Sequence, residues 1–496
     1  GIVFSGLVVE SLRLLVQPVP AQGWAAFSFA GWGLAAIWKA AGASEPTLRV
    51  AYYFWYFTHP VLAAVLCVVL VDTPLLHLAL VPVNVFSARL EIDRGRLSEM
   101  PGWQDVFSLR ERPLVGRLPW QQLLSAETCT QCGFCQEVCP ALAAGSGLNP
   151  KTVMMTVRSA LSGQPGNGGF DTGFVWDCYA CGACVWACPL MIEPMEVIVN
   201  LRRALVHEGQ LGEGLGHTFE QITTSGNAAG LPRQNRTAWM RELERPIADA
   251  RSKRVRFLWV IGDEAAYNPN MREVNLKIGR IFQAAGLDFG LLHEGEFNDG
   301  CDVRRAGEEG LFFRLRDLNR SIIEKCDFET MVTSDPHTYH VLKHEYGKDV
   351  PGGGKILHYS ELLWLLIQSG QLKLPRQRAQ VVTFHDPCYL ARFNGIITAP
   401  RAVILATGCR LVELDQHGEN TFCCGAGGGH IYMDERVLEK RPSEIRMAEI
   451  AAMEEVFTLV VACPKDYAMF KDAASDERLG RRIQVKDLAE LVYDAM

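Results

Sequence analysis

The sequence predicts a multidomain chain in three parts: a truncated transmembrane α-helical domain, a helical domain built on two dense cysteine runs, and tandem α/β repeats. Three observations predict it. The first ninety residues are apolar, whereas the remainder reads as soluble. Eight of the sixteen cysteines fall between residues 129 and 188, in two copies of one spacing. Beyond residue 250 a frame of strand-like runs and short polar motifs occurs twice. A length of 496 residues leaves room for roughly three or four domains. The net charge of -7 carries no basic excess, which argues against nucleic acid as a partner. Cysteines packed into short runs point to metal in a reducing compartment and not to a secreted disulfide scaffold.

The membrane part is assigned to residues 1–90. Residues 1–16, GIVFSGLVVESLRLLV, are too short to cross a hydrocarbon core of about 30 Å, and in a chain that begins at Gly1 they read as the last turns of a span. Residues 24–38 are apolar but short, as an interfacial helix or a re-entrant piece would be. The run from Val50 to Val83 is long enough to cross with a tilt. Pro60 and Pro74 interrupt it, and the aromatic cluster from Tyr52 to Phe57 opens it as at a lipid-water boundary. This run is predicted to be a transmembrane helix, too long for the apolar region of a signal peptide.

It carries His59 and His77, the two histidines of the apolar part. In one regular helix their eighteen-residue spacing is five turns, so both imidazoles would face one side about 27 Å apart. Polar groups at membrane depth tend to mark function, and imidazole is a common axial ligand of haem iron. The expectation is two b-type haems stacked across the bilayer; the alternative is a pair of interfacial histidines near helix ends. Each haem needs a second axial ligand, which no upstream histidine supplies. Arg89, Arg94 and Arg96 on one side of the long run are offset by Arg13, Lys39 and Arg49 on the other, so charge does not orient it. A reducing cytoplasm suits the thiol-rich part, which is therefore placed on the cytoplasmic side of an inner membrane.

Residues 91–120 read as a linker rich in Arg, Gly and Pro. In residues 121–225, Cys129, Cys132, Cys135 and Cys139 precede Pro140, and Cys178, Cys181, Cys184 and Cys188 precede Pro189. Both runs read C-x2-C-x2-C-x3-C-P, the bacterial ferredoxin spacing, in which the fourth cysteine of each run ligates the other cluster. One 4Fe-4S cluster is thus assigned to Cys129, Cys132, Cys135 and Cys188, and a second to Cys178, Cys181, Cys184 and Cys139. Zinc sites usually separate two C-x2-C halves by a longer gap, whereas here four cysteines sit within eleven residues, twice. Helices are expected over Pro150–Leu161 and about Glu196–Glu208, with the Gly-rich SGQPGNGG between the runs and a loop over 209–250.

The C-terminal half repeats a frame. After the strand-like QVVTF comes Cys388; Cys423 and Cys424 follow thirty-five residues on in FCCGAGGG, and Cys463 in VVACPKD forty beyond. In the first copy, FLWVIG leads to Asp263, thirty-five residues on stand Asn298 and Asp299, and thirty-seven beyond stands Asp335, with Thr338 close by. The first copy spans 226–375 and the second 376–496. No thiolate occupies a motif position in the first, and Asp or Asn replaces Cys poorly as a cluster ligand, so it reads as a structural pseudo-repeat. The GAGGG glycines would let backbone N–H groups approach cluster sulfides and tune potential. Cys67, Cys301, Cys326 and Cys409 read as small buried apolar residues. Neither GAGGG nor PGGGK completes a phosphate loop.

This frame resembles the cysteine-rich CCG domain of heterodisulfide reductase catalytic subunits, whose pattern runs C, CC-G, C-P-x-C. With the two ferredoxin runs and the apolar N-terminal part, the resemblance covers nearly the whole chain; the membrane part is similar to the nitrate reductase gamma cytochrome b family, and the fused arrangement resembles membrane-bound electron transfer flavoprotein:menaquinone oxidoreductases. The resemblance implies that His59 and His77 are haem ligands whose partner histidines lie on an earlier helix absent from this chain. It implies a third iron-sulfur cluster on Cys388, Cys423, Cys424 and Cys463. Asp466 stands where the last Cys of C-P-x-C belongs, which leaves an ordinary cubane, a remodelled cluster with Asp466 as an oxygen ligand, or a site emptied by drift. The function it implies is oxidoreduction between a soluble donor such as an electron transfer flavoprotein and the menaquinone pool. A quinol-dependent reductase of heterodisulfides or other sulfur compounds, and an electron-wire subunit of a larger respiratory complex, are the alternatives.

Overall fold

The computed structural model describes residues 2–17, 28–71, 76–88, 95–98, 114–162, 172–347, 355–376, 379–434, 439–476 and 482–496. Most of the expected linker and the SGQPGNGG stretch lie outside them. The chain divides into two compact units, Gly1–Val83 and Asn84–Met496.

In the first unit α1 (Ile2–Val16) packs against α2 (Phe29–Ala40) and α3 (Glu45–Val71) around Val8, Leu12, Leu48 and Tyr52. Trp38 Nε1 donates to Ser11 Oγ at 3.2 Å, and Gln17 Nε2 to the Tyr52 hydroxyl at 3.1 Å. The stretch Glu45–Val69 is long and apolar enough to cross a membrane, with a mean hydropathy of 1.4, and only 6% of its most apolar window is buried. Phe54, Phe57, Val61 and Val68 all point away from protein. An apolar helix that its own fold leaves uncovered needs an apolar surrounding.

The expectation of one helix from Val50 to Val83 is corrected. Helix α3 starts earlier and ends at Val71, and a separate helix, α4 (His77–Ser87), begins at the second histidine. Between them stand Asp72, Thr73 and Pro74, outside the described residues. Proline donates no helical hydrogen bond and disfavours α backbone in the residue before it, so the sequence between the two helices holds a residue type that ends helices. Pro60 and Pro82, by contrast, are absorbed inside α3 and α4. His59 and His77 therefore do not share one regular helix, and the 27 Å same-face geometry expected for them fails.

In the second unit the cysteine runs are wrapped by the helices Trp120–Thr128, Pro150–Leu161 and Pro194–His207. Asn149 caps the second of these, its side chain accepting from Lys151 N at 3.0 Å, and Pro150 at the first helical position needs no donor there. The loop expected over 209–250 contains a helix, Glu213–Ser225, then a 3-10 segment, Arg233–Glu242. Leu215, Phe219 and Ile222, spaced four and three apart, bury one face of that helix, a short periodic signal diluted by its glycines and threonines.

Two parallel sheets follow. The first comprises β1 (Ala248–Asp249), β2 (Phe257–Val260), β3 (Phe289–Leu291), β4 (Thr330–Thr333) and β5 (Ile356–His358), in the order β1-β3-β2-β4-β5. The second comprises β6 (Val381–Phe384), β7 (Arg410–Leu411), β8 (Thr458–Val461) and β9 (Gln484–Asp487), in the order β7-β6-β8-β9. Setting β1 aside, the two orders are the same permutation. Register agrees as well: Leu258 pairs with Met331 between β2 and β4, and Val382 with Thr458 between β6 and β8. In both sheets the chain starts at an inner strand, steps to one side, and then crosses to the other. That reversal opens a crevice at the C-terminal ends of β2 and β4, and again of β6 and β8.

Candidate metal centres

The two ferredoxin-type runs fold around two small cavities. Cys129, Cys132 and Cys135 line one together with Cys188 from the other run. Cys178, Cys181 and Cys184 line the second together with Cys139. The structure thus brings together the crossed sets that the spacing implies. Gly133 and Gly182, each with positive φ, open the short helices that carry Cys135 and Cys184. Among the described residues no three His, Cys, Asp or Glu side chains converge closely enough for a single ion. A cubane differs from a zinc site in this respect, because each thiolate meets its own iron. Burial pushes the Cys135 and Cys139 thiols up to about 12, so cluster assembly must displace protons.

The third set of thiols lies at the crevice of the second sheet. Cys388 opens the helix that follows β6, and Cys463 caps the helix that follows β8. Cys423 and Cys424 arrive on the loop between, where the N–H groups of Gly425 and Ala426 donate to their sulfurs at 3.4 Å each. All four are buried. The Cys423 thiol lies beside those of Cys388 and Cys424. Asp466, a residue with 3% exposure, lies beside Cys424, and burial pushes its carboxyl up to about 7. Its Oδ2 has no hydrogen-bond partner, and His385 Nε2 stands 3.8 Å from it.

This set abuts the second ferredoxin cavity. Cys423 also lies beside Cys181, and that neighbour, ahead of opposing burial and then the charge of Arg392, brings the Cys181 thiol down to about 6. The glycines explain the fit. A Cβ on Gly427 would come within 2.5 Å of Tyr179 O, and one on Gly428 within 2.6 Å of Cys178 O. The N–H of Gly425 reaches the Cys423 sulfur, while Gly427 and Gly428 seat the loop against the second cysteine run. Residues without a motif complete the junction: Tyr389 donates to Ala180 O at 3.1 Å, Arg202 to Cys178 O at 2.6 Å, and Arg392 to Cys181 O at 2.8 Å. Sequence reading missed all three, since a lone Tyr or Arg in a helix carries no spacing signal.

In the first repeat the equivalent positions hold a charged network. Asp263 opens the helix after β2, and Asp335 caps the helix after β4, in the places of Cys388 and Cys463. Asp263 pairs with Arg236, which also holds Glu296 at 2.8 Å, and Asn298 Nδ2 donates to Asp263 Oδ2 at 2.6 Å. Thr338, the counterpart of Asp466, donates to Asp299. Lys465 of the second repeat reaches across to Asp302, while His337 of the first stacks on Tyr389 of the second with ring centroids 4.1 Å apart. Lys465 and His337 hold the same position of their frames, so the repeats exchange side chains. Cys301 is buried as expected, but not bland: its sulfur lies 3.5 Å from His337 Nδ1. Cys326 and Cys409 are buried, and Cys67 is exposed.

In the first unit His59 faces α1. Its Nδ1 lies 2.9 Å from Ser5 Oγ, and a Cβ on Gly6 would meet the imidazole at 3.4 Å. His77 begins α4.

With this geometry in place, comparison with known proteins is decisive for the class. Residues 128–192 match a 4Fe-4S dicluster domain, and residues 382–471 a cysteine-rich domain of the CCG type. The chain is related to CCG-domain iron-sulfur oxidoreductases. It is 35% identical over 412 residues to a probable membrane-anchored ferredoxin of Chromohalobacter salexigens, a match covering 76% of this chain and 61% of that protein. It is 26% identical to the EtfAB:quinone oxidoreductase of Syntrophomonas wolfei, over 100% of this chain and 76% of that one. It is 25% identical to a component of the dihydromethanophenazine:CoB--CoM heterodisulfide reductase of Methanosarcina barkeri, over 76% of this chain and 95% of the relative. The chain is thus similar to proteins named as iron-sulfur oxidoreductases, and its three thiol sets have the donor chemistry for iron-sulfur clusters.

Proposed function

We propose that this chain relays electrons between a soluble electron transfer flavoprotein and the menaquinone pool, held at the inner face of the cytoplasmic membrane by its apolar unit. The observation that carries the reading is the placement of Cys423 beside Cys181, with Gly427 and Gly428 seated on the backbone of Tyr179 and Cys178: the CCG thiols and the second ferredoxin set adjoin, so redox centres there would be direct neighbours. Cys129, Cys132, Cys135 and Cys188 would hold one 4Fe-4S cluster, Cys139, Cys178, Cys181 and Cys184 the second, and Cys388, Cys423, Cys424 and Cys463 a third. When bound, such clusters supply one-electron carriers. The chain's own part is to seat them side by side in a dry interior and to fix their surroundings. The EtfAB:quinone oxidoreductase relative, matched along the whole chain, supports this choice of donor and acceptor.

His59 and His77 are the proposed haem ligands of the membrane unit. The Ser5 hydroxyl takes up Nδ1 of His59, which makes Nε2 the remaining nitrogen for iron. A reduced-minus-oxidised spectrum that keeps its b-type band in His59→Ala would reject that assignment.

The similarity to the heterodisulfide reductase component favours a second reading, reduction of a disulfide at the CCG site. Asp466 in place of a fifth thiolate argues against it. Iron and acid-labile sulfide decide the shared premise: about twelve cluster irons per chain in wild type, falling by about four in Cys424→Ala, support a third cluster. About eight in both would remove the CCG site from the path and leave an electron-wire subunit. Reduction of a water-soluble menaquinone analogue by reduced flavoprotein then separates the first reading from the second, in which a disulfide is the acceptor.

A further inference from the structure

Two arginines at the junction are buried without a counter-charge. Arg202 has no exposed surface, and its guanidinium donates only to carbonyls: Val175 at 2.8 Å, Cys178 at 2.6 Å, and Arg305 and Gly428 at 3.0 Å each. Arg392, 3% exposed, donates to Cys181 O at 2.8 Å, Glu419 O at 2.9 Å and Thr421 O. The five other buried arginines, Arg203, Arg236, Arg304, Arg305 and Arg446, each pair with a carboxylate. Among the described residues Arg202 and Arg392 have none within ion-pair reach.

Carbonyls satisfy the N–H groups but not the charge, and a buried charge without an opposite one is expensive. The groups that both arginines face are ligand thiols of one cavity, which become thiolates on binding iron. Arg202 grips the backbone of Cys178 and Arg392 that of Cys181, and the charge of each acts on the sulfur of the cysteine it grips. Each also ties in a carbonyl of the CCG loop, Gly428 or Thr421. The first ferredoxin cavity is built differently: Lys151 on its wall and Arg158 beside Cys129 are both partly exposed, and Arg158 is paired with Glu127 at 3.3 Å.

We propose that Arg202 and Arg392 are positioning residues that act as the fixed counter-charge of an iron-sulfur cluster held by Cys139, Cys178, Cys181 and Cys184, raising its reduction potential and fastening it to the CCG site. This rests on the reading that a cluster occupies that cavity. Reduction adds negative charge to a dry site, where burial alone opposes it and nearby cations favour it.

The test is a redox titration of the full chain followed by EPR, with the second cluster's signal identified by its loss in Cys184→Ala. In Arg202→Gln and Arg392→Gln the reduced-to-oxidised ratio of that cluster, read at the wild-type midpoint, falls at least tenfold, about 59 mV for a one-electron centre. The first cluster stays put, and Arg202→Lys and Arg392→Lys remain near wild type. Gln variants with full iron and an unmoved midpoint overturn the proposal, as do Lys variants that shift as far as Gln. Where a Gln variant loses the second cluster altogether, iron count reads the charge: retention in the Lys variant supports the proposal, and equal loss overturns it. A wild-type chain with no cluster in this cavity would sink the functional reading and the inference with it, whereas unmoved midpoints with all irons present sink the inference alone.

Discussion

The two α/β repeats share a strand order, a register and a crevice, yet one crevice gathers thiols and the other gathers charge. In the second, Cys388 and Cys463 sit at the ends of β6 and β8 with Cys423 and Cys424 between them. In the first, Asp263 and Asp335 take the same backbone positions; Asp263 is tied into an ion pair with Arg236 and a hydrogen bond with Asn298, while Lys465 supplies charge from the other repeat. The difference teaches that one frame serves two chemistries. The frame persists because strands and helix starts are built from local pattern and burial. Whatever fills its centre must be internally satisfied, because buried polar groups without partners cost more than the fold can spare.

The sharpest way to break this comparison is to remove the charge that the second repeat lends the first. Lys465→Met leaves Asp302 buried without its cation and is expected to cost about 3–5 kcal/mol. Urea unfolding of the full chain checks it, and a loss under about 1 kcal/mol would show that the acidic cluster balances itself.

A second effect concerns pH. Burial pushes Asp487 up to about 7, and the Tyr359 hydroxyl donates to its Oδ1 at 2.8 Å. A carboxyl whose folded value lies above its unfolded value binds more protons in the native state, so its contribution is fully present at low pH and is lost as pH rises from about 4 through about 7. The swing is on the order of 2–4 kcal/mol. Asp487→Asn keeps a helix cap and should flatten that part of the stability profile; an unchanged slope would assign it elsewhere.

Next is the seat of the CCG loop. Gly427→Ala drives a Cβ into Tyr179 O and is expected to cost about 1–3 kcal/mol by overpacking. Thermal unfolding and the rate of electron exchange between the second and third centres should fall together. If only stability falls, the close approach is structural and not part of the path.

The smallest effect compares equivalent residues. Thr338→Ala removes one hydrogen bond to Asp299 and should cost about 1 kcal/mol with iron content unchanged. Asp466→Asn at the matching position should instead alter the EPR signal of the third centre. Equal silence in both would mean that the second repeat, too, no longer uses this position for metal.

How much of this is legible in the sequence varies by region. The crossed cysteine sets and the duplicated frame can be read directly, because ligand spacing and strand periodicity are short-range signals. The apolar unit reads as one long helix because apolar composition runs on from Val50 to Val83, whereas α3 ends at Val71 and a separate α4 begins at His77. The helix Glu213–Ser225 stays hidden because three buried residues among glycines and threonines make a weak pattern.

By itself the sequence determined which residues have the donor chemistry for iron, how they group into two runs and a CCG motif, and which copy of the repeat has no thiol at the motif positions, for these depend on residue type and near spacing. Only the tertiary structure decided that Cys423 lies beside Cys181, that Gly427 and Gly428 let two loops touch, that Lys465 and His337 reach between repeats, and that Arg202 and Arg392 face cysteine thiols instead of carboxylates. Most of those facts join residues far apart in the chain, and charge balance in a buried interior is settled by whatever the fold brings within a few ångströms, not by what lies near in the sequence.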